Sequence, residues 1–265
     1  GGFLDNTPLL HLLKREFDRQ QLKRAIQTGS LHALCITASS YNEGMAITFF
    51  EGQKEIDGWT RARRRGERAV IGPEHLLASS ALPFAFAPVQ LQGGYFGDGA
   101  LRLTSPLSPA IHTGADRILV IATRDSSPDP PNGTDSLIRP SIGEIAGHAL
   151  DIVFNDNLES DHERMTRINH TLSLIAASAR EKTSLRTIDT ILLSPSQDLR
   201  KIARKYDQEL PIAIRLLMRS LGSWGCDGRL ESYLLFEAGY IGALLDLGYA
   251  DAMERQDELR AFLAE

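Results

Sequence analysis

The stretch "GGYFGDGALRL" (Gly93–Leu103) sets one carboxylate, Asp98, between Gly97 and Gly99, after an aromatic pair and before an apolar step. Glycine relaxes φ and lets backbone approach closely. The loop can therefore hold a carboxylate forward at the end of a strand. "DG" is also an ordinary turn dipeptide, and the two letters alone favour a turn. The residues on either side change that weighting.

Before the loop runs "GPEHLLASSAL", a short helix expected to stop near Pro83, because the residue before proline is pushed out of the α region. After it, "SPLSPAIHTGA" reads as a short helix ending at glycine. "DRILVIATR" is an apolar run suited to a buried central strand. Further upstream, "LHALCITASS" and "GMAITFFEG" read as two strands that pair, and "WTRARRRGER" as a polar connection. "TPLLHLLKREFDRQQLKRAIQTG" reads as one helix, with Thr7 as cap and Pro8 in its first turn. The Pro-rich "SSPDPPNGTDS" (Ser126–Ser136) is a surface loop. A long helical pattern follows over residues 142–178, then a strand in "TIDTILLSPSQ", then helices from Leu199 onward.

Strands alternating with helices predict an α/β fold: a mainly parallel sheet covered by helices, with a helical C-terminal part. The expected division is a domain over residues 1–198 with a helical extension over 199–265 packed on it. Hydrophobic residues make up 42% and charged residues 24% of the 265, an ordinary globular balance. The net charge of −5 gives no electrostatic case for nucleic acid. Cys35 and Cys226 stand far apart, which suits a reducing compartment, and Cys35 reads as a small core residue. The expected location is cytoplasmic, with peripheral membrane contact as an option.

Other candidate groups carry weaker signals. Ser79, Ser80, Ser105 and Ser108 lie near the loop, but none sits in a strand–turn–helix elbow. His75 and His112 read as packing or surface histidines. "NDNLESDHE" (Asn155–Glu163) lacks the glycine and ligand spacing of a calcium loop. His162 and His170 have no evident partner ligand, so no metal and no cofactor is expected. "GSWGCDG" (Gly222–Gly228) follows a helix and lacks the Lys-Ser or Lys-Thr of a phosphate loop. The basic cluster Arg61–Arg68 can attract anionic lipid headgroups, although such a run is most often an exposed loop.

The ordered string from Ser79 to "ILVIA" resembles the patatin-like phospholipase family of lipid acyl hydrolases. It includes Ser79, Ser80, Ala81, Pro83, Phe86, Pro88 and Val89. It continues through Gly93, Gly94 and Tyr95 to Asp98-Gly99-Ala100, then Pro106, Ala110, Gly114 and Ala115. "LDNTPLLHLL" looks like the segment after the family's nucleophile region, and "ESYLLFEAGYIGALLDLGYADAM" is similar to the C-terminal region of bacterial members. The resemblance implies a serine nucleophile from a G-x-S-x-G elbow, with the aspartate of the Asp-Gly-Ala motif as its only base. Here that base is Asp98, supported by Gly97, Gly99 and Ala100. The chain contains no G-x-S-x-G and no Gly-rich oxyanion loop. Both precede the matching segment in family members. The resemblance therefore implies the C-terminal portion of a longer protein, with the nucleophile on a missing N-terminal segment, inactive alone. The implied substrate is a lipid carboxylic ester.

Two expectations accompany this reading. Phe84, Phe86 and Tyr95 are candidates to line an acyl pocket. Tyr95, Phe96 and Leu101 are expected to desolvate Asp98 and raise its pKa. The alternative is a non-catalytic α/β interaction domain that keeps the Asp-Gly-Ala loop as a structural turn.

Overall fold

The computed structural model describes residues 2, 4–125, 141–220, 222 and 228–264. The chain forms two compact units, one of residues 1–116 and 157–188, the other of 117–156 and 189–265. The 198/199 boundary expected from sequence falls inside the second unit.

The first unit is built on six strands: β1 (Ala33–Ser40), β2 (Met45–Gly52), β3 (Trp59–Arg61), β4 (Arg64–Arg68), β5 (Val89–Leu91) and β6 (Gly94–Asp98). Their order in the sheet is β3-β4-β2-β1-β6-β5. The α/β class holds, but the strand directions differ from the mainly parallel expectation. Only β2 and β4 run parallel here; the other four pairings are antiparallel. Connection length explains this, because a parallel pair needs a crossover of about a dozen residues or more. β1 and β2 are joined by only Tyr41–Gly44, in register from Ala33↔Gly52 to Ser40↔Met45. β5 and β6 are joined by Gln92 and Gly93, both at positive φ (48° and 82°), as a two-residue hairpin of the primed kind requires.

The basic run is not a loop: it forms the β3–β4 hairpin, turning at Ala62 and Arg63. The first helical pattern is two helices, α1 (Thr7–Glu16) and α2 (Arg19–Gln27). Asp18 separates them, accepting hydrogen bonds from the N–H groups of Gln20 and Gln21 as the cap of α2. Asn6, not Thr7, occupies the cap position of α1. Helix α3 (Pro73–Ser79) packs on β1, β5 and β6. The core beneath it joins Ala38, Ile47, Phe49, Ala78, Leu91 and Phe96. A second cluster, Phe50, Ile56 and Trp59, packs with Cys35 and Ala33. Helix α4 (Ser108–His112) follows the Asp98 loop and ends before Gly114 at φ 101°.

The second unit carries the remaining sheet, β7 (Arg117–Ile121) parallel to β8 (Asp189–Leu193). "RILVI" suits a strand covered on both faces, yet β7 alternates buried Ile118 and Val120 with exposed Leu119 and Ile121. The long helical pattern resolves into α5 (Ile142–Asp151), a π-helical turn (Ile152–Asp156), α6 (Asn157–Leu174) and α7 (Ala177–Arg180), of which α6 and α7 belong to the first unit. The helical C-terminal part comprises α8 (Leu199–Ala203), α9 (Ile212–Ser220), α10 (Arg229–Leu234), α11 (Ala238–Glu254) and α12 (Gln256–Ala264). In this unit buried Asp151 accepts from the Tyr233 hydroxyl at 3.0 Å and lies 3.1 Å from Arg229 Nε. The Pro-rich stretch and most of "GSWGCDG", with Cys226, lie outside the described residues. Among the described residues, no helix is long and apolar enough to cross a membrane.

Candidate active site around Asp98

Asp98 ends β6 opposite Ala38 of β1, the central strand pairing of the first unit. Its backbone N–H donates to Ala81 O at 3.0 Å, tying the loop to the end of α3. Its side chain caps the 3₁₀ turn Gly99–Leu101: Oδ1 accepts from the Ala100 N–H at 2.9 Å. Ser39 Oγ donates to Gly99 O at 3.2 Å, and Ser79 Oγ donates to Thr37 O at 2.7 Å. Strand, helix end and turn thus converge on one carboxylate.

The flanking glycines answer to two different neighbours. A β-carbon at position 99 would lie 2.2 Å from the Thr37 carbonyl oxygen. A β-carbon at position 97 would lie 2.4 Å from the Tyr41 hydroxyl. Gly99 is needed for backbone approach, whereas Gly97 makes room for an aromatic ring.

The Asp98 pKa is pushed up to about 6, chiefly by burial; the Ala100 N–H pulls it back. This matches the direction expected from sequence, with one change of cause. Side chains alternate along a strand, so Phe96 shares the Asp98 face and is buried with Ala38. Tyr95 alternates to the other face and is 51% exposed. The Tyr41 phenol is also raised, first by its own burial and then by the Asp98 charge.

No hydroxyl among the described residues hydrogen-bonds to Asp98. Ser80 Oγ donates back to Leu76 O and Leu77 O within α3. Ser105, buried, accepts from Arg64 Nη1 at 2.6 Å. Ser108 Oγ lies 3.1 Å from His112 Nδ1, but that nitrogen is 2.7 Å from the Ser108 carbonyl. An Nδ1–H donated to a carbonyl cannot take a serine proton. His112 stacks on Trp59 with centroids 4.8 Å apart, and His75 meets the Phe49 ring edge-on at 4.9 Å. Burial is the main cause lowering both histidine pKa values. Both are packing histidines, as the sequence suggested.

The proposed pocket aromatics are scattered in environment. Phe84 is 80% exposed at φ 66°, and Phe86 is half-buried, bridged to Leu4. Most of the arginine cluster is engaged within the protein. Arg64 binds Ser105, and Arg65 pairs with Glu43 and Glu67. Arg68 donates to Gly52 O, Gln53 O and Ile56 O and lies over the Phe50 ring. Arg61 and Arg63 remain exposed. Sequence reasoning missed these pairings, because sequence neighbours do not identify cross-strand partners. Among the described residues no cluster of His, Cys, Asp and Glu could hold a metal ion.

No curated protein matches the chain. A family model does. Residues 1–111 match the description "Patatin-like phospholipase", a span that contains the six-stranded sheet and the Asp98-Gly99-Ala100 loop, and this match supports membership of the chain in the patatin-like family of lipid acyl hydrolases.

Proposed function

We propose that this chain supplies the general base of a serine-dependent acyl hydrolase acting on lipid carboxylic esters. The observation that carries the reading is the Asp98 carboxylate, half-buried on a glycine-flanked turn with its pKa near 6. An ordinary aspartate is a weak base at neutral pH; a pKa nearer the operating pH makes it a better one. Oδ1 is engaged by Ala100, which leaves Oδ2 to take a proton.

In this reading Asp98 removes the serine proton as the hydroxyl oxygen attacks the ester carbonyl. The tetrahedral intermediate collapses by breaking the bond to the alcohol, and the Asp98 carboxyl returns the proton to that leaving oxygen. The acyl-enzyme then undergoes the same cycle with water as nucleophile. The serine and the oxyanion donors belong to a segment outside these 265 residues, since the sequence holds no G-x-S-x-G. Phe84, Phe86 and Tyr95 contribute apolar surface for the acyl chain, and exposed Arg61 and Arg63 offer contact to anionic lipid headgroups.

The second reading, a non-catalytic interaction domain, is supported by the Ala100 cap, which gives Asp98 a structural use. Asp98→Asn separates the two, because asparagine keeps a capping oxygen but cannot serve as the base. With the nucleophile segment present, the hydrolase reading expects a folded variant with ester hydrolysis abolished. Retained hydrolysis excludes Asp98 as the base. For the 265-residue chain alone, a serine-directed fluorophosphonate is expected to give no stoichiometric labelling; labelling would place the nucleophile inside it.

A further inference from the structure

Away from the Asp98 loop, the first unit holds a cavity of about 130 Å³. Arg164, Met165 and Ile168 line it from α6, facing Leu107 and Ile111, with Ile188 on the side. Its interior is therefore largely apolar. Most polar groups in its wall are already engaged. Asp161 Oδ2 accepts from the Leu107 N–H at 3.0 Å. Asn169 donates to Ile188 O at 2.7 Å and accepts from Ile188 N at 3.1 Å. Arg186 donates to Asp116, Ile111 O and Ala115 O.

Arg164 is different. Its nearest acceptors, Asp161 Oδ1 and Ser105 Oγ, both lie at 3.4 Å, and its side chain is 58% exposed. Ser105 already accepts from Arg64 at 2.6 Å. A guanidinium has five N–H donors, so Arg164 retains donors at the mouth of an apolar chamber. Arg64, Arg164 and Arg186 face the carboxylates of Asp116 and Asp161, which leaves the neighbourhood positive.

We propose that this cavity binds a short-chain monocarboxylate, with its tail against Met165 and Ile168 and its carboxylate on Arg164. An apolar cavity of about 150 Å³ accommodates benzene, so the tail is of about four to six carbons. The site does not depend on the reading of Asp98.

Hexanoate and hexan-1-ol are the probes, titrated into the full chain carrying ¹³C-methyl methionine. Met165→Leu assigns the Met165 methyl signal among the four methionines. Hexanoate is expected to shift that signal saturably while leaving the other three in place. Arg164→Met is expected to weaken hexanoate binding about tenfold, a charge-assisted contact being lost, without changing the response to hexan-1-ol. Ile168→Trp should fill the chamber and remove both responses; should that variant fail to fold, the exposed Arg164 substitution still decides. An unmoved Met165 signal, or equal hexanoate affinity in wild type and Arg164→Met, overturns the proposal.

Discussion

Asp98 and Ala100 are joined by a 2.9 Å hydrogen bond in which the Ala100 N–H donates to Asp98 Oδ1. The bond favours the ionised carboxylate, yet burial outweighs it and the pKa settles near 6. Fixing the turn and easing protonation are therefore separable effects on one side chain.

The balance has a pH signature. The reference value is 3.8 and the folded value about 6, so between them the folded chain binds a proton that the unfolded chain lacks. Stability therefore falls as pH rises through this window, and the cost is complete above it. At pH values well above 6, Asp98→Asn is expected to stabilise the chain by roughly 1–3 kcal/mol. The gain should shrink as pH falls toward the reference value. Urea unfolding of both proteins at a neutral and an acidic pH measures it, and a pH-independent difference would remove burial as the cause.

The two glycines should respond unequally. Gly99→Ala drives a β-carbon into the Thr37 carbonyl of a central strand, and is expected to cost about 3 kcal/mol. Gly97→Ala meets only the half-exposed Tyr41 ring, which can swing outward; its cost should stay below about 1.5 kcal/mol. Equal midpoints in urea for the two variants would contradict the contacts described.

Trp59 lies between two rings, Phe50 at 5.4 Å and His112 at 4.8 Å, over Gly66. Burial, opposed by the Ser108 bond and aided by Arg61, Arg64 and Arg186, keeps the His112 pKa below 6.5. As pH falls through 6.5 the unfolded chain gains this proton first, and stability declines. His112→Phe keeps an aromatic partner and removes that contribution. Its melting temperature should fall less steeply than wild type below pH 6.5; parallel slopes would refute the assignment.

Arginines in the basic run should divide into two kinds. Arg68→Lys loses the fork that gathers three carbonyls and is expected to cost about 1–2 kcal/mol. Arg63→Glu, at an exposed hairpin turn, should change stability by under about 0.5 kcal/mol while weakening co-sedimentation with anionic vesicles. Unchanged co-sedimentation would end the lipid-contact reading of this hairpin.

The sequence by itself determined the local pieces: the Asp98 loop, the β1–β2 pair, the stop before Pro83, the helical C-terminal part and the packing use of His75 and His112. Each rests on neighbours a few residues away, on glycine, proline or apolar periodicity, and such signals are written along the chain. Only the tertiary structure decided the rest. It turned "WTRARRRGER" into a hairpin whose arginines bind Glu43, Ser105 and the carbonyls before Ile56. It set the strands mainly antiparallel in the first sheet, because short connections leave no room for crossovers. It also gave Gly97 and Gly99 separate reasons, Tyr41 and Thr37, across a strand pairing that links positions about 60 residues apart. The opening loop thus showed a candidate base, but its burial and its pKa belong to β1 and α3, which reach it only through the fold.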